Sequence, residues 1–216
     1  MIGRHVRNSQ ESKFLLERYA PVASTEDEQV IESLDLLSAH AKMPGQSTQA
    51  FLNEVARVIY KSFGFKEISI GVKDKDGVFR YAAMLGFRDD VKTMQHRPSY
   101  TLEEMMDKRA YPSAKIDRTV EIHLKEDRPA DEGEDGMYNR PSLMGQERIS
   151  PDTMMEGDYL ELRIHGPNDD LLGWIELSCP RDGKFPSRGT VKWLEFVSII
   201  TATFLNLKEH AKGIAR

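Results

Sequence analysis

The only cysteine of the chain, Cys179, is the first residue whose type could support covalent chemistry. A nucleophilic or redox thiol needs a nearby histidine or a cationic environment that lowers its pKa. Cys179 ends the strand-like stretch LLGWIELSC, where its parity matches that of Ile175 and Leu177, whereas Trp174 and Glu176 face the other way. This register predicts a thiol packed in the core, with a thiol-dependent enzyme as the alternative.

Two histidines near the ends of predicted strands are the next candidates. If those strands are neighbours, His123 and His165 could approach each other, and Asp127 could complete a metal site. Their spacing matches no recognised ligand pattern, so we expect surface histidines and no metal. The acidic residues at 126–127 and 131–135 lack the rhythm and the terminal glutamate of a calcium loop, which indicates a solvated loop.

Other catalytic and binding signatures are missing from the sequence. It contains no glycine-rich phosphate loop, no Gly-x-Ser-x-Gly elbow and no His-Glu-x-x-His, so we expect no enzymatic activity. The net charge of -5 and the scattered basic residues give no reason to bind nucleic acid or an anionic membrane. No apolar run approaches the roughly 20 residues that span a bilayer. A lone cysteine excludes an internal disulfide, and we expect a cytoplasmic protein.

Methionine is concentrated in one part of the chain. Eight of the ten methionines lie between residues 84 and 155, together with several aromatic residues. Thioethers are flexible and polarisable, so they suit an adaptable pocket for an apolar or aromatic ligand; the alternative is loose core filling under an irregular cap. The sequence does not identify a cofactor. The predicted pocket residues are Tyr81, Met84, Phe87, Met94, Tyr100, Met105, Met106 and Tyr111.

The surrounding pattern predicts the elements that position these residues. Ser24 or Thr25 can cap a first helix, Ser47 or Thr48 starts a second, and Ser187 or Thr190 precedes a long C-terminal helix. Between them, Asp76-Gly77 marks a hairpin, 114–124 is a further strand, and 158–179 is a second hairpin.

This order predicts one α+β domain over residues 25–213, preceded by an arm or linker at 1–24. We expect a central antiparallel sheet of about five to six strands, with the N- and C-terminal helices on one face. The irregular segment 86–156 then covers the other face. Within it, 125–156 is a long loop, and the sequence leaves its order open.

Three stretches carry a family resemblance: FLNEVARVIYKSFGF, ISIGVKDKDGVFRYAAMLGF, and LLGWIELSCPRDGKFPS followed by WLEFVSIITATF. Over about residues 26–210 the chain resembles the GAF family of small-molecule sensor domains, a GAF/PAS-like architecture. The resemblance implies a ligand pocket between one sheet face and the variable middle segment, dimerisation through the terminal helices, and signalling rather than catalysis. The methionine-sulfoxide-reducing members use several cysteines, and the cyclic-nucleotide-binding members carry an Asn-Lys-x-x-x-Phe-x-x-x-Asp-Glu pattern; this chain has neither.

The terminal helices carry more apolar surface than one packed face needs. We therefore expect a homodimer through these helices. The resulting hypothesis is a sensory or regulatory domain that binds an unidentified small molecule or partner beneath 86–156 and acts on a separate output protein. The alternatives are a structural dimerisation or interaction module without a ligand, and a thiol-dependent enzyme. The predicted interface residues are Leu36, Leu37, Trp193, Phe196 and Phe204.

Overall fold

The computed structural model describes residues 25–128 and 134–214, so the predicted arm at 1–24 lies outside the described residues. No helix among these residues has the length and apolar content to cross a bilayer. The helices are α1 (Glu26–Ala41), α2 (Thr48–Ser62), α3 (Asp89–Gln95), α4 (Leu102–Met106) and α5 (Arg188–Ile214). The strands are β1 (Phe65–Lys73), β2 (Phe79–Leu85), β3 (Ala114–Lys115), β4 (Val120–His123), β5 (Tyr159–His165) and β6 (Leu171–Pro180).

Six strands form one antiparallel sheet in the order β2-β1-β6-β5-β4-β3. The β1–β2 hairpin turns at Asp76-Gly77, where Gly77 has φ +85°, a left-handed conformation that glycine adopts without strain. The predicted α+β class and strand number are confirmed. The first and last hairpins lie side by side because β1 pairs with β6 in the centre of the sheet.

Local capping chemistry starts the main helices where the sequence predicts. Thr25 and Glu28 form a capping box at α1, in which each side chain accepts a hydrogen bond from the other residue's backbone N–H. The Ser47 hydroxyl accepts from the N–H of Ala50 at 3.1 Å at the start of α2. The Ser187 hydroxyl accepts from the N–H of Thr190 at 3.1 Å at the start of α5.

The main hydrophobic core lies between the sheet and helices α1, α2 and α5. Ile68 of β1 and Ile175 of β6 point into this layer, as strand alternation requires. At its centre the rings of Phe51 and Phe204 stack, with their centroids 4.0 Å apart. The terminal helices therefore cover one face of the sheet, as predicted.

This packing corrects the predicted dimer interface. Leu37 and Phe204 are only 0 % and 1 % exposed, because they are on the sides of α1 and α5 that pack into the core. Trp193 is partly buried against the same core. Leu36 and Phe196 are 65 % and 53 % exposed, so these two remain available for a second subunit.

The predicted strand at 114–124 is two short strands, β3 and β4, which lie at one edge of the sheet. The other described parts of the segment from 86 to 156 form a cap over the opposite face of the sheet. This cap contains α3, α4 and two 3-10 helices, Glu134–Met137 and Pro141–Leu143, within the stretch that the sequence predicts as one long loop. The buried carboxylate of Asp158 holds this cap in place. It accepts hydrogen bonds from Arg148 at 2.9 Å, from the Met155 N–H at 2.7 Å and from the Lys125 N–H at 3.0 Å.

Candidate functional site

A cavity of about 380 Å³ lies between the cap and the sheet face that points away from the main core. The lining is aromatic and acidic, and within the described residues Arg128 is its one cationic side chain. Seven aromatic side chains line it: Tyr81, Phe87, Tyr100, Tyr111, Tyr138, Tyr159 and Trp174. Six carboxylates also line it: Glu67, Glu134, Glu156, Asp158, Glu161 and Glu176.

Most of the predicted pocket residues contribute to this cavity. The five that line it are Tyr81, Phe87, Tyr100, Met105 and Tyr111.

The other three predicted pocket residues, all methionines, lie outside the lining. Met84 lies opposite Ser69 on the edge strand β2, and Met94 is next to Gly136 in the cap. The Met106 sulfur instead accepts a hydrogen bond from Arg163 at 3.2 Å. Methionine content therefore located the segment but not the individual contacts.

The strand register creates a feature that the sequence analysis missed. Glu176 of β6 is directly opposite Glu161 of β5, and Glu161 is directly opposite Glu121 of β4. We call these three residues the glutamate row. Side chains directly opposite on one face have Cβ atoms about 4.5–5.5 Å apart, and like charges in such pairs are destabilising. The row therefore needs compensation from hydrogen-bond donors and cations.

At the β4 end of the row this compensation comes from the chain itself. Arg163 donates to Glu161 at 2.9 Å and to Glu121 at 3.0 Å, and Lys108 also donates to Glu121. Burial by itself would raise the pKa of Glu161, but its interactions with His123, whose Nε2 is 3.5 Å away, and with the Arg163 guanidinium lower the pKa below its ordinary value. For Glu121, burial likewise opposes the shift, and bonds from Lys108 and Ser113 lower the pKa.

At the β6 end, no cation of residues 25–128 or 134–214 forms an ion pair with the row. Among the described residues, Glu176 has no ion pair; its carboxylate accepts from Ser69 at 2.6 Å, Trp174 Nε1 at 2.9 Å and the Tyr81 hydroxyl at 3.0 Å. Burial raises the pKa of Glu176 to about 7, and the charge of Glu161 adds to this, although the three donors act against it. Glu176 is thus the uncompensated end of the glutamate row.

Trp174 is positioned by a glycine on the neighbouring strand. Gly71 is directly opposite Trp174, and a Cβ atom added at Gly71 would lie 2.2 Å from the indole ring. The indole therefore needs glycine at this position to lie where its N–H reaches Glu176. Its ring also contacts Tyr81 edge-on, with centroids 5.3 Å apart. A glycine inside an otherwise apolar strand is the sequence signal for such a close approach.

The predicted histidine arrangement is wrong in two respects. The strands β4 and β5 are neighbours, but they run antiparallel with His123 opposite Tyr159, so His165 lies at the far end of β5. His123 is also buried rather than at the surface; it stacks on the Tyr159 ring at 4.3 Å. Asp127 is exposed, and the carboxylate that faces His123 is Glu161, at 3.5 Å from Nε2.

Glu121, His123 and Glu161 bring three metal-ligating atoms within 4.8 Å of one another. The two carboxylates are already paired with Arg163 and Lys108. A divalent cation placed among them would be next to two fixed positive charges, which opposes binding. The contacts favour a buried ion-pair network over a metal centre.

The prediction that Cys179 packs in the core is also wrong. Its φ of +53° lies in the left-handed region, which breaks the strand alternation, so the half-buried thiol lines the cavity instead. Arg140 donates a hydrogen bond to the sulfur at 3.1 Å. Burial raises the pKa of the thiol, and Glu67 adds to that shift against the effect of Arg140. The raised pKa disfavours the thiolate that a nucleophile requires.

Hydrogen bonds join the cap to the sheet at the edge of the cavity. The Asn139 amide donates to Glu67 at 2.8 Å and to the Gly86 carbonyl at 2.9 Å. Arg140, the next residue, forms an ion pair with Glu156 at 2.6 Å. The second 3-10 helix follows directly, so the cap is fixed close to the strand that carries Glu67.

The sequence matches no protein-family model and no curated protein. Solved structures show a clear likeness of fold. The GAF domain of an Acinetobacter phosphoenolpyruvate-protein phosphotransferase superposes with a TM-score of 0.53 at 10 % identity, over 83 % of this chain and 94 % of that one. The GAF domain of the corresponding Coxiella burnetii protein gives 0.52 at 15 % identity, over 88 % and 99 %.

A third similar structure is the GAF domain of a putative sensor histidine kinase from Pseudomonas syringae pv. tomato. It gives a TM-score of 0.51 at 10 % identity and covers 95 % of this chain and 98 % of that one. The chain therefore has a GAF-type fold.

Proposed function

We propose that this chain is a sensory or regulatory domain that binds a small molecule in the cavity beneath the cap and transmits the occupied state through its terminal helices. The observation that carries this proposal is the cavity itself. It is about 380 Å³ in volume, within the range of about 300–1,000 Å³ common for ligand sites, and it has convergent polar groups at Glu176.

The route to the helices runs through the strands that carry the glutamate row. β6, which holds Glu176, leads through one turn directly into α5. The turn before β4 also contacts this helix: Asp117 pairs with Lys192 at 2.5 Å, and Thr119 donates to Glu195 at 3.4 Å. A ligand that binds one helix arrangement better than another would shift the equilibrium between the two.

A homodimer through the terminal helices is the second part of the proposal. On α5, Phe196, Ile199 and Leu207 are 53 %, 58 % and 51 % exposed, at spacings that place them on one side of a helix. Leu36 of α1 adds a further exposed apolar side chain. Water-exposed apolar stripes of this kind favour pairing with another helix. We propose a separate protein as the receiver of the signal.

The alternatives gain less support from the geometry. A purely structural module should fill the space beneath the cap with its own side chains, whereas a cavity of about 380 Å³ lies there. A thiol enzyme needs an activated Cys179, and burial raises the pKa of that thiol. These observations favour ligand binding without chemistry.

The first test is native mass spectrometry of the full chain purified without added ligand. We expect a dimer, with a stoichiometric extra mass if a ligand is retained through purification. The apo protein should then be screened by thermal shift against cationic, neutral and anionic metabolites, because a ligand that binds only the folded state raises the melting temperature. Failure of every class to bind would contradict the sensory proposal.

The dimer is tested with the double variant Leu36→Ser/Phe196→Ser. We expect it to sediment as a monomer while its melting temperature at low concentration is unchanged. The control is Ile149→Ser, which removes an apolar side chain that is 92 % exposed in the cap, far in sequence from the terminal helices. A wild-type chain that sediments as a monomer, or a double variant that remains dimeric, would contradict this interface.

A further inference from the structure

We infer that the cavity binds a small organic cation, a protonated amine or amidinium joined to an apolar body, with its positive group on Glu176. This inference rests on the proposed function, because it names the ligand class of that same cavity. Three observations carry it: the excess of carboxylates, the free acceptor position at Glu176, and the aromatic wall around it.

The charge of the cavity disfavours anionic ligands before any contact is considered. Of its six carboxylates, three have a close ion-pair partner of their own: Glu156 with Arg140, Asp158 with Arg148, and Glu161 with Arg163. Glu134 pairs with Arg128 in the lining itself. A phosphate or carboxylate ligand would add negative charge to a partly desolvated site that already has an excess of it.

Two carboxylates remain without a close cation of their own. Glu176 has no ion pair among the described residues, and Glu67 has only Arg140 at 3.9 Å, which is engaged by Glu156 at 2.6 Å. Glu67 is opposite Ser178, and Glu176 is opposite Ser69. The two glutamates are therefore diagonal neighbours on paired strands, with about 7–8 Å between their backbone positions. One small cation could therefore approach both.

The hydrogen bonds of Glu176 leave room for one more donor. An ionised carboxylate offers about four acceptor positions. Ser69, Tyr81 and Trp174 supply three protons to it, and the Tyr81 hydroxyl, at 3.0 Å from both oxygens, shares its one proton between them. Those three donors come from three different strands and fix the carboxylate in place. A ligand N–H is the chemistry that would fill the fourth position and also supply the missing positive charge.

A second acceptor in the cavity wall lacks a donor. The Gln95 side-chain oxygen is buried and has no hydrogen-bond partner in the described part of the chain, while its amide nitrogen donates to the Met137 carbonyl at 2.9 Å. Gln95 lines the cavity from α3. A ligand rich in N–H groups would suit this residue as well, whereas an acceptor-rich ligand would not.

The aromatic wall suits the remainder of a cationic ligand. Tyr81 and Tyr100 contact the Trp174 ring edge-on at 5.3 and 6.2 Å, and Tyr111 contacts Tyr100 at 6.5 Å. Cations are attracted to aromatic faces within about 6 Å. The chain already makes one such contact inside the cavity, because the Arg128 guanidinium lies 5.1 Å from the Tyr111 ring centroid.

The test uses three probes of one shape and different charge: 2-phenylethylamine, 2-phenylethanol and phenylacetate. Binding to the full chain is measured by isothermal titration calorimetry at pH 8. We expect the amine to bind at least tenfold more tightly than the alcohol, and phenylacetate to bind more weakly still. Equal binding of amine and alcohol, or preferential binding of phenylacetate, would overturn the inference.

The decisive variant is Glu176→Gln, which keeps the size and most hydrogen bonds of the side chain but removes its charge. We expect at least a tenfold loss of amine affinity and no loss for the alcohol. The matched control is Glu54→Gln on α2, whose carboxylate pairs with the exposed Arg57 on the other side of the molecule. If Glu176→Gln fails to fold, Glu67→Gln removes the charge of the neighbouring carboxylate instead, with a smaller expected loss of amine affinity.

The cation inference and the sensory proposal are contradicted by different results. If the thermal-shift screen finds a neutral or anionic ligand in the cavity and no cation, the cation inference is wrong and the sensory proposal stands. If no compound of any charge binds at millimolar concentration, both are wrong. Amine binding that survives Glu176→Gln unchanged would show a site elsewhere and would also overturn the inference.

Discussion

The two faces of the same sheet have opposite chemistry. The face beneath α1, α2 and α5 is apolar, with Ile70, Ile175 and Leu162 fully buried. The face beneath the cap carries the glutamate row, with Trp174 and Tyr81 beside Glu176. Neighbouring residues of one strand supply both faces, because successive side chains of a strand point in opposite directions. The apolar face stabilises the fold, whereas the face beneath the cap holds charged side chains at positions that do not favour folding.

This difference between the two faces indicates which residues are available to bind a ligand. Burying carboxylates side by side is unfavourable unless cations compensate them, and the chain does so at Glu121 and Glu161 but not at Glu176. Departures from apolar packing and pairing rules tend to mark functional positions. The comparison therefore predicts that substitutions on the helix face affect stability first, whereas substitutions around Glu176 affect binding first.

The largest effect is expected on the helix face. Phe204→Ala removes a buried ring that stacks on Phe51 at 4.0 Å, and should lower the free energy of unfolding by about 3–5 kcal/mol. The control is Phe196→Ala on the same helix, which removes an exposed ring and should change stability by less than about 0.5 kcal/mol in a monomeric background. Urea unfolding measures both. Equal losses in the free energy of unfolding would mean that the buried and exposed sides of α5 contribute equally to stability, which would contradict the comparison.

A similar loss is expected where the cap face depends on its own cations. Arg163→Met leaves Glu161 and Glu121 buried without their shared guanidinium, and should cost about 3–5 kcal/mol. The control is Arg57→Met, which breaks an exposed pair and should cost no more than about 1 kcal/mol. Adding Glu121→Gln and Glu161→Gln to Arg163→Met should recover most of the loss. No recovery would show that Arg163 acts by packing rather than by charge.

The close approach of Gly71 and Trp174 provides a test of the face beneath the cap. Gly71→Ala places a methyl group 2.2 Å from the indole, which must move away, at a cost of about 3 kcal/mol. Tryptophan fluorescence in a Trp193→Phe background reports the movement directly. Gly145→Ala is the control, because nothing lies within 4 Å of its added Cβ. An unshifted emission spectrum in Gly71→Ala would contradict the proposed positioning of Trp174.

The smallest stability effect concerns Glu176 and depends on pH. Its pKa is raised to about 7, so the folded protein holds a proton that the unfolded chain loses near pH 4.5. Stability from this group is therefore present below about pH 4.5 and is lost as the pH rises through 7. The ionisable groups that face it are Glu161 and Tyr159 of β5, Tyr81 of β2, Tyr100 and Tyr111.

Glu176→Gln should remove this pH dependence. Relative to the wild type, the variant should gain on the order of 2 kcal/mol in free energy of unfolding between pH 5 and pH 8. The measurement is urea unfolding of both proteins at the two pH values, with the partly exposed Glu54→Gln as the control. A difference that does not grow with pH would show that Glu176 stays ionised throughout and that its three donors outweigh burial.

Features fixed by short stretches of sequence were predicted well. Thr25 and Ser47 start their helices because a hydroxyl accepts from an N–H three residues away. Asp76-Gly77 makes a hairpin because glycine tolerates the positive φ. Tyr81, Tyr100 and Tyr111 were predicted at the pocket because they lie in or beside the methionine-rich segment, and the structure places all three in the lining of the cavity.

Features that depend on register or on one unusual backbone angle were not predicted. His123 was expected at the surface, but strand pairing places it opposite Tyr159, where its ring is buried and stacked. Cys179 was assigned to the core by parity, and its left-handed φ of +53° turns it to the cavity. Helical periodicity also could not tell which apolar residues of α1 and α5 are inside, so Leu37 and Phe204 were placed at an interface when they belong to the core.

The order of elements, the α+β class and the segment that covers the cavity follow from the sequence, because capping, turn formation and strand alternation act over a few residues. The alignment of Glu121, Glu161 and Glu176 in one row depends on the folded sheet, since these residues come from strands separated by up to 55 positions in the chain. Strand register is set by the packing of the whole sheet, and a shift of one residue would turn each glutamate to the opposite face. The chemistry of the cavity is therefore a property of the folded sheet.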